Sequence, residues 1–161
     1  MTPSSKPTAD RPFVELYTDG ACEGNPGPGG WAFILRDPAS GKEFLGSGGE
    51  GRTTNNRMEL LSVIEGLKSL KKPSRVRVVS DSQYVVKGLS EWIDGWKARG
   101  WRKADKSPVL NQELWEELDR LRLEHRVEPE WIRGHNGHEF NERCDRMAVG
   151  EIRRLRERTR L

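Results

Sequence analysis

The stretch from Asn56 to Ser80 constrains the fold more than any other part of the chain. Leu60, Val63, Ile64, Leu67 and Leu70 recur at helical spacing and give one apolar face, and Pro73 lies just past the last of them. Val76 to Ser80 is then a short apolar run closing at Asp81, the pattern of a buried strand that follows a helix. Such a unit favours a preceding strand in the same sheet, paired parallel through a right-handed crossover. Phe13 to Asp19 supplies one, because it alternates as a strand does and stops at Asp19-Gly20.

The segments around this unit complete a topology. Gly24 to Gly30 is turn chemistry, and Trp31 to Leu35 and Lys42 to Ser47 read as two strands divided by a Pro38–Gly41 turn. Three strands with short links predict an antiparallel meander. Beyond Asp81, Ser82 caps a helix through Lys87, and a Trp- and Lys-rich helical stretch continues to Gly100. A further helix spans Val109 to Glu124 with Leu110, Leu114, Leu118 and Leu121 inward. Arg126 to Arg133 is a final strand whose Pro129 predicts a sheet edge. The last helix starts near Phe140 with Cys144, Ala148, Ile152 and Leu155 on one side. The expected class is α/β, a five-stranded mixed sheet flanked by helices.

A chain of 161 residues suits one domain with one core. We divide it into a loose leader over residues 1–11, a folded domain over 12–150 and a basic C-terminal tail over 151–161. The tail holds five Arg against two Glu, which equals the whole net charge of +3. A second basic cluster lies between Lys87 and Lys106. A mildly basic protein can approach a polyanion, but where its charge sits matters more than its total. Cys22 and Cys144 form no CxxC or four-ligand pattern, so no zinc site is expected. Residues 1–10 contain no apolar run resembling a signal peptide or membrane span, which points to a reducing, cytoplasmic setting without membrane contact. No heptad or apolar edge asks for a dimer, and a monomer is expected.

The candidate chemistry lies in the acids. Asp19 and Asp81 close the first and fourth strands, and Glu59 sits early in the helix between them. If those strands are neighbours, both Asp side chains reach one rim and the helix leans Glu59 toward it. Crowded carboxylates repel and stay ionised mainly with a cation between them, and hard oxygen donors suit Mg²⁺ or Mn²⁺. Each acid also has a local explanation. Asp19-Gly20 can be a turn, Asn56-x-x-Glu59 a capping box, Asp81-Ser82 a helix cap, and Asp145 a solvated helix residue.

Longer motifs separate these readings. Tyr17-Thr-Asp-Gly-Ala-Cys-Glu-Gly-Asn-Pro-Gly-Pro-Gly-Gly30, Thr53-Thr-Asn-Asn-Arg-Met-Glu-Leu60 and Ser80-Asp-Ser-Gln-Tyr-Val85 resemble three successive signatures of the bacterial type-1 ribonuclease H family. Trp131-Ile-Arg-Gly-His-Asn-Gly-His138 with Asn141-Glu-Arg-Cys-Asp145 is similar to the fourth, and Trp92-Ile-Asp-Gly-Trp-Lys-Ala-Arg-Gly-Trp101 resembles the family's basic protrusion. The resemblance spans about residues 12–150 in the right order. One departure stands out: Glu139-Phe140-Asn141 replaces a common Pro-Glu-Asn and adds a carboxylate near His135.

The resemblance implies a ribonuclease H-like fold and two-metal hydrolysis of the RNA strand of an RNA–DNA hybrid, leaving 5′-phosphate and 3′-hydroxyl ends. It implies that Asp19, Glu59, Asp81 and Asp145 hold two Mg²⁺ ions, with Mn²⁺ able to substitute, and that His135 assists proton transfer or product release. It places Cys22, Gly24, Asn25, Asn55, Asn56 and Gln83 against the 2′-hydroxyl-bearing strand. It assigns Arg52, Thr54 and Asn111 to a DNA-strand phosphate, and Trp92, Trp96, Lys97 and Arg99 to a hybrid-binding protrusion. Two other readings remain: a noncatalytic hybrid-binding module, which should lack a metal acid, and an integrase core or junction resolvase, which should lack the Asn-rich second motif and the protrusion.

Overall fold

The structure, a computed structural model, describes residues 11–134 and 137–159. Five strands, β1 (Phe13–Cys22), β2 (Gly27–Arg36), β3 (Glu43–Thr53), β4 (Arg75–Ser80) and β5 (Arg126–Trp131), lie in the order β3-β2-β1-β4-β5. The first three pair antiparallel, whereas β4 runs parallel to β1 and β5 parallel to β4. This is the mixed sheet that the sequence predicts, and β5, with Pro129 opposite Val78, is an edge.

Helix α1 (Asn55–Lys68) links β3 to β4, and α2 (Gln83–Lys87) follows β4. A π-helical turn, Gly88–Trp92, joins α2 to α3 (Ile93–Ala98); α4 (Gln112–Glu124) precedes β5, and α5 (Glu139–Thr159) closes the chain. Alternating side chains of the central strands divide the interior into two layers. Leu16 and Val78 face Leu60, Ile64, Trp115 and Leu118 on the α1–α4 side. Tyr17, Ala32 and Ile34 face Cys144 and Ala148 of α5 on the other. No helix among the described residues is long and apolar enough to cross a membrane.

The structure corrects three expectations. First, β1 does not stop at Asp19-Gly20 but continues to Cys22, with Ala21 paired to Gly30 and Cys22 to Gly29. The ladder to β2 outweighs the weak strand preference of Gly20 and leaves only residues 23–26 as the turn. Gly30 tolerates this because it has no side chain: a Cβ there would lie 2.1 Å from the Ala148 carbonyl oxygen. Second, the cap of α1 is Thr54, whose hydroxyl accepts from the Arg57 N–H, so Asn56 and Glu59 form no capping box. Third, Leu110 is 73% exposed rather than inward. Asn111 beside it is left-handed with φ 58°, so α4 begins only at Gln112. As the apolar side Cys144, Ala148, Ile152 and Leu155 predicts, α5 runs unbroken to Thr159, with Ile152 buried. Residues 1–10, 160 and 161 of the expected leader and tail lie outside the described residues.

Candidate active site

The parallel pairing of β1 and β4 ends at Tyr17 and Val79, so the chain beyond each of these residues reaches one rim of the sheet. Asp19 lies two residues past Tyr17, and Asp81 two past Val79. Asp19 therefore sits within β1 rather than at its end, paired only to Ala32 of β2. Glu59 begins the second turn of α1. Ligand oxygens of Asp19, Glu59 and Asp81 lie within 4.8 Å of one another. Asp145, projecting from α5, lines the same cleft of about 510 Å³.

Capping is done by neighbours. Thr54 caps α1, and Ser82 caps α2 by accepting from the Val85 N–H at 3.2 Å. The capping-box explanation for Glu59 thus fails, and the cap in Asp81-Ser82 belongs to Ser82. Gly20 brings the helix in: a Cβ there would come 2.5 Å from the Glu59 nitrogen and 2.6 Å from the Met58 carbonyl carbon. With only hydrogen at that position, the Gly20 N–H donates to Asp19 Oδ1 at 3.0 Å and also to Glu59 Oε1. Gly134 stands over the other side, where a Cβ would meet Asp81 Oδ2 at 2.7 Å.

Burial and crowding set the electrostatics. Asp19 is 6% exposed and Glu59 4%. Desolvation, followed by the Asp81 and Asp145 charges, pushes the Asp19 carboxyl up to about 8 from an ordinary 3.8. Burial raises Glu59 well above the usual carboxylate range, with Asp19 and Asp81 adding to it. No lysine or arginine is paired with Asp19 or Glu59 among the described residues. Converging hard oxygens that cannot all ionise by themselves are the donor set a divalent cation satisfies, and the residues fit such an ion.

Most of the other expected site residues line three adjoining clefts. Cys22, Asn55, Asn56 and Gln83 line the acid cleft. The Cys22 thiol donates to the Thr53 carbonyl at 3.3 Å, and burial pushes its pKa up. Asn25, Thr54 and Asn111 line a second cleft of about 420 Å³ that shares Asn55 and Asn56 with the first. The Asn55 N–H donates to Asn25 Oδ1 at 2.9 Å, fastening the β1–β2 turn to the start of α1. Arg52 is exposed and, like Gly24, lines neither cleft.

The third cleft, about 410 Å³, is lined by Trp92, Trp96, Arg99 and Lys103. Leu110 joins it to the second cleft, and Tyr84 joins it to the first. Trp96 packs edge-on against Trp115 with ring centroids 5.2 Å apart, whereas Trp92 is 36% exposed. Lys97 is tied to Asp119 at 3.0 Å and does not line this cleft. His135 lies outside the described residues.

Sequence reasoning missed Tyr84 and Phe140. The Tyr84 hydroxyl accepts from Trp115 Nε1 at 2.9 Å and Asn111 Nδ2 at 3.3 Å, locking α2 to α4. Its only signal was its place beside Gln83 in the third motif. Phe140, from the departing loop, stacks on Tyr17 at 4.6 Å and fixes the start of α5 over β1.

Comparison with known proteins decides the family. The model of the ribonuclease H family matches residues 11–153. The chain belongs to the ribonuclease H family. It is 59% identical over 135 residues to a ribonuclease H of Cupriavidus necator, covering 84% of this chain and 92% of that protein. It is 56% identical over 152 residues to a ribonuclease H of Rhodopirellula baltica, covering 92% and 96%. Among solved structures, LC9-RNase H1, described as a type 1 RNase H with the type 2 active-site motif, aligns with a TM-score of 0.79 at 34% identity over 90% of this chain and 74% of its own. LC11-RNase H1 in complex with an RNA/DNA hybrid aligns with a TM-score of 0.69 at 25% identity, covering 88% and 97%.

Proposed function

We propose that this chain is an endonuclease that hydrolyses the RNA strand of RNA–DNA hybrids, leaving 5′-phosphate and 3′-hydroxyl ends. The observation that carries the proposal is the convergence of Asp19, Glu59 and Asp81 within 4.8 Å in a cleft that Asp145 also lines. Asp19, Glu59, Asp81 and Asp145 would hold two Mg²⁺ ions, with Mn²⁺ able to substitute. Such ions, when bound, would supply an activated water and charge neutralisation at the scissile phosphate.

The chain's own groups supply position and selectivity. Gly20 holds Glu59 against Asp19 through its N–H, so the acids are in place before substrate arrives. The polar wall of Cys22, Asn55, Asn56 and Gln83, with the Gly24 and Asn25 backbone beside it, senses the 2′-hydroxyl, a group that both donates and accepts. Thr54 and Asn111, with Arg52 nearby, seat a phosphate of the DNA strand, and Trp92, Trp96 and Arg99 grip the duplex beyond. Lys97 supports that grip through Asp119. These contacts read backbone and shape, so cleavage shows little sequence preference. His135 serves proton transfer or product release. The enzyme acts as a monomer in the cytoplasm, a setting that fits its two free thiols.

A gel assay on matched DNA/DNA, RNA/RNA and RNA/DNA duplexes, with and without Mg²⁺, tests the reading. Metal-dependent cutting of RNA in the hybrid alone is expected. Hybrid RNA left whole with both Mg²⁺ and Mn²⁺ supplied rejects it.

A further inference from the structure

The Arg-rich end of α5 packs against β3. The helix is unbroken to Thr159, with Ile152 buried, and Ser47 Oγ donates to Glu151 Oε1 at 3.0 Å. A Cβ at Gly49 of β3 would touch Leu155 Cδ1 at 3.1 Å. Arg156 pairs with Glu23, in the turn between Cys22 of the acid cleft and Asn25 of the second cleft.

Helical geometry then orders the outer side chains. Asp145, Val149, Arg153 and Arg156 follow at i, i+4, i+8 and i+11. At 3.6 residues per turn they fall within roughly 80° of one another, on a single stripe. Asp145 at one end of that stripe faces the acid cleft, and Arg156 at the other reaches the turn beside it. The two ends are about 16 Å apart along the axis, at about 1.5 Å per residue. Arg154 and Arg158 point to the opposite side of the helix. Of the three clefts, α5 contributes to the acid cleft alone.

We propose that Arg153 and Arg156 form a second phosphate-contacting surface for the bound duplex, meeting the same strand that the four acids engage, several phosphates from the scissile one. It rests on the nuclease reading and extends it: the aromatic protrusion holds the duplex from one side and this stripe from the other. The occupant is a nucleic-acid backbone because two cations continue, at helical spacing, a face that begins with a ligand of the proposed metal site. A spaced row of guanidinium groups suits the regular spacing of phosphates along one strand.

The test compares two double variants that remove the same charge. Affinity for a labelled hybrid long enough to span α5 is measured against salt concentration, with a chelator present so that nothing is cut. Arg153→Gln/Arg156→Gln should lower the slope of log K against log salt by about 1.4–1.8, at about 0.7–0.9 per lost phosphate contact. Arg154→Gln/Arg158→Gln should lower it by less than half as much. Arg153→Gln alone, which leaves the Arg156–Glu23 pair intact, should carry about half of the effect. Equal slopes for the two double variants mean that only net charge matters, and unchanged slopes mean no contact; either overturns the proposal. A parent chain that leaves hybrid uncut with metal present rejects the nuclease reading itself, whereas a chain that cuts while the first variant keeps its slope discards the arginine stripe alone.

Discussion

The acid rim and the aromatic protrusion are built on opposite principles. At the rim, regular backbone does the work: Asp19 sits in a strand, Glu59 in a helix, and Gly20 allows the two to touch. Among the described residues no lysine or arginine is paired with Asp19 or Glu59, and burial makes their repulsion worse. In the protrusion the backbone is unusual. Trp101 and Lys106 have left-handed φ of 64° and 72°, which non-glycine residues adopt rarely and at a cost. The charges nearby are partly satisfied, Lys97 by Asp119 and Arg122 by Asp94 and Asp119. The crowded acids store repulsion, whereas the protrusion stores packing and leaves only some of its cations unpaired.

The hardest test of this contrast is removal of one rim charge. Asp19→Asn should lower kcat by at least about a thousandfold, beyond the roughly 10–100-fold typical of groups that act behind the ligands. Its melting temperature should hold or rise, because repulsion is relieved. A large fall in stability with activity retained would reverse the assignment.

Gly20→Ala comes next. Its new methyl meets backbone atoms at 2.5 and 2.6 Å, which α1 can escape only by moving. A loss of about 1–3 kcal/mol in stability is expected, with activity lost as Glu59 shifts. Unchanged chemical denaturation would show that α1 yields easily.

In the protrusion, Arg99→Gln/Arg102→Gln/Lys103→Gln should raise KM, leave kcat nearly unchanged and flatten the salt dependence by about 0.7–0.9 per lost phosphate contact. Lys97→Gln should change the slope least, since Lys97 does not line the third cleft. If Lys97 dominates the slope, the pair opens on binding and the contrast weakens.

Two pH experiments probe smaller effects. Asp19 titrates near 8 folded against 3.8 ordinarily, so its contribution to stability is present below about 4 and lost as pH rises toward about 8. Thermal melts without metal should show that decline, and saturating Mg²⁺ should remove it, since bound cations displace the proton. A metal-free decline that survives in Asp19→Asn would come from elsewhere. His125 gives the opposite sign. Buried and neutral, its Nδ1 accepts from the Ser74 N–H at 3.1 Å, and burial lowers its pKa below 6.5. Its contribution is present above about 6.5 and lost as pH falls through the lowered value. His125→Asn should flatten that acid-side loss.

Much of the fold was legible because it is set by residues close in sequence. The period of Leu60 to Leu67 gave α1, and the run Val76 to Ser80 gave β4 between it and the sheet edge. What local pattern misread was governed by partners far along the chain. Gly20 looks like a turn until β2 pairs beside it, and Leu110 looks inward until the left-handed Asn111 delays α4. The acids were nameable from their motifs, but Thr54 and Ser82 had to take the capping roles before Glu59 and Asp81 could be assigned to a cation.

Sequence alone therefore determined the kinds of elements, their order and the identity of the acidic side chains, since periodicity and motif chemistry act over a few neighbouring residues. Tertiary structure alone decided how closely those acids approach, which of them resist ionisation, which basic residues are already paired, and that Arg156 of the last helix reaches Glu23. Desolvation and Coulomb energy depend on distance through space, and only the folded chain sets that distance.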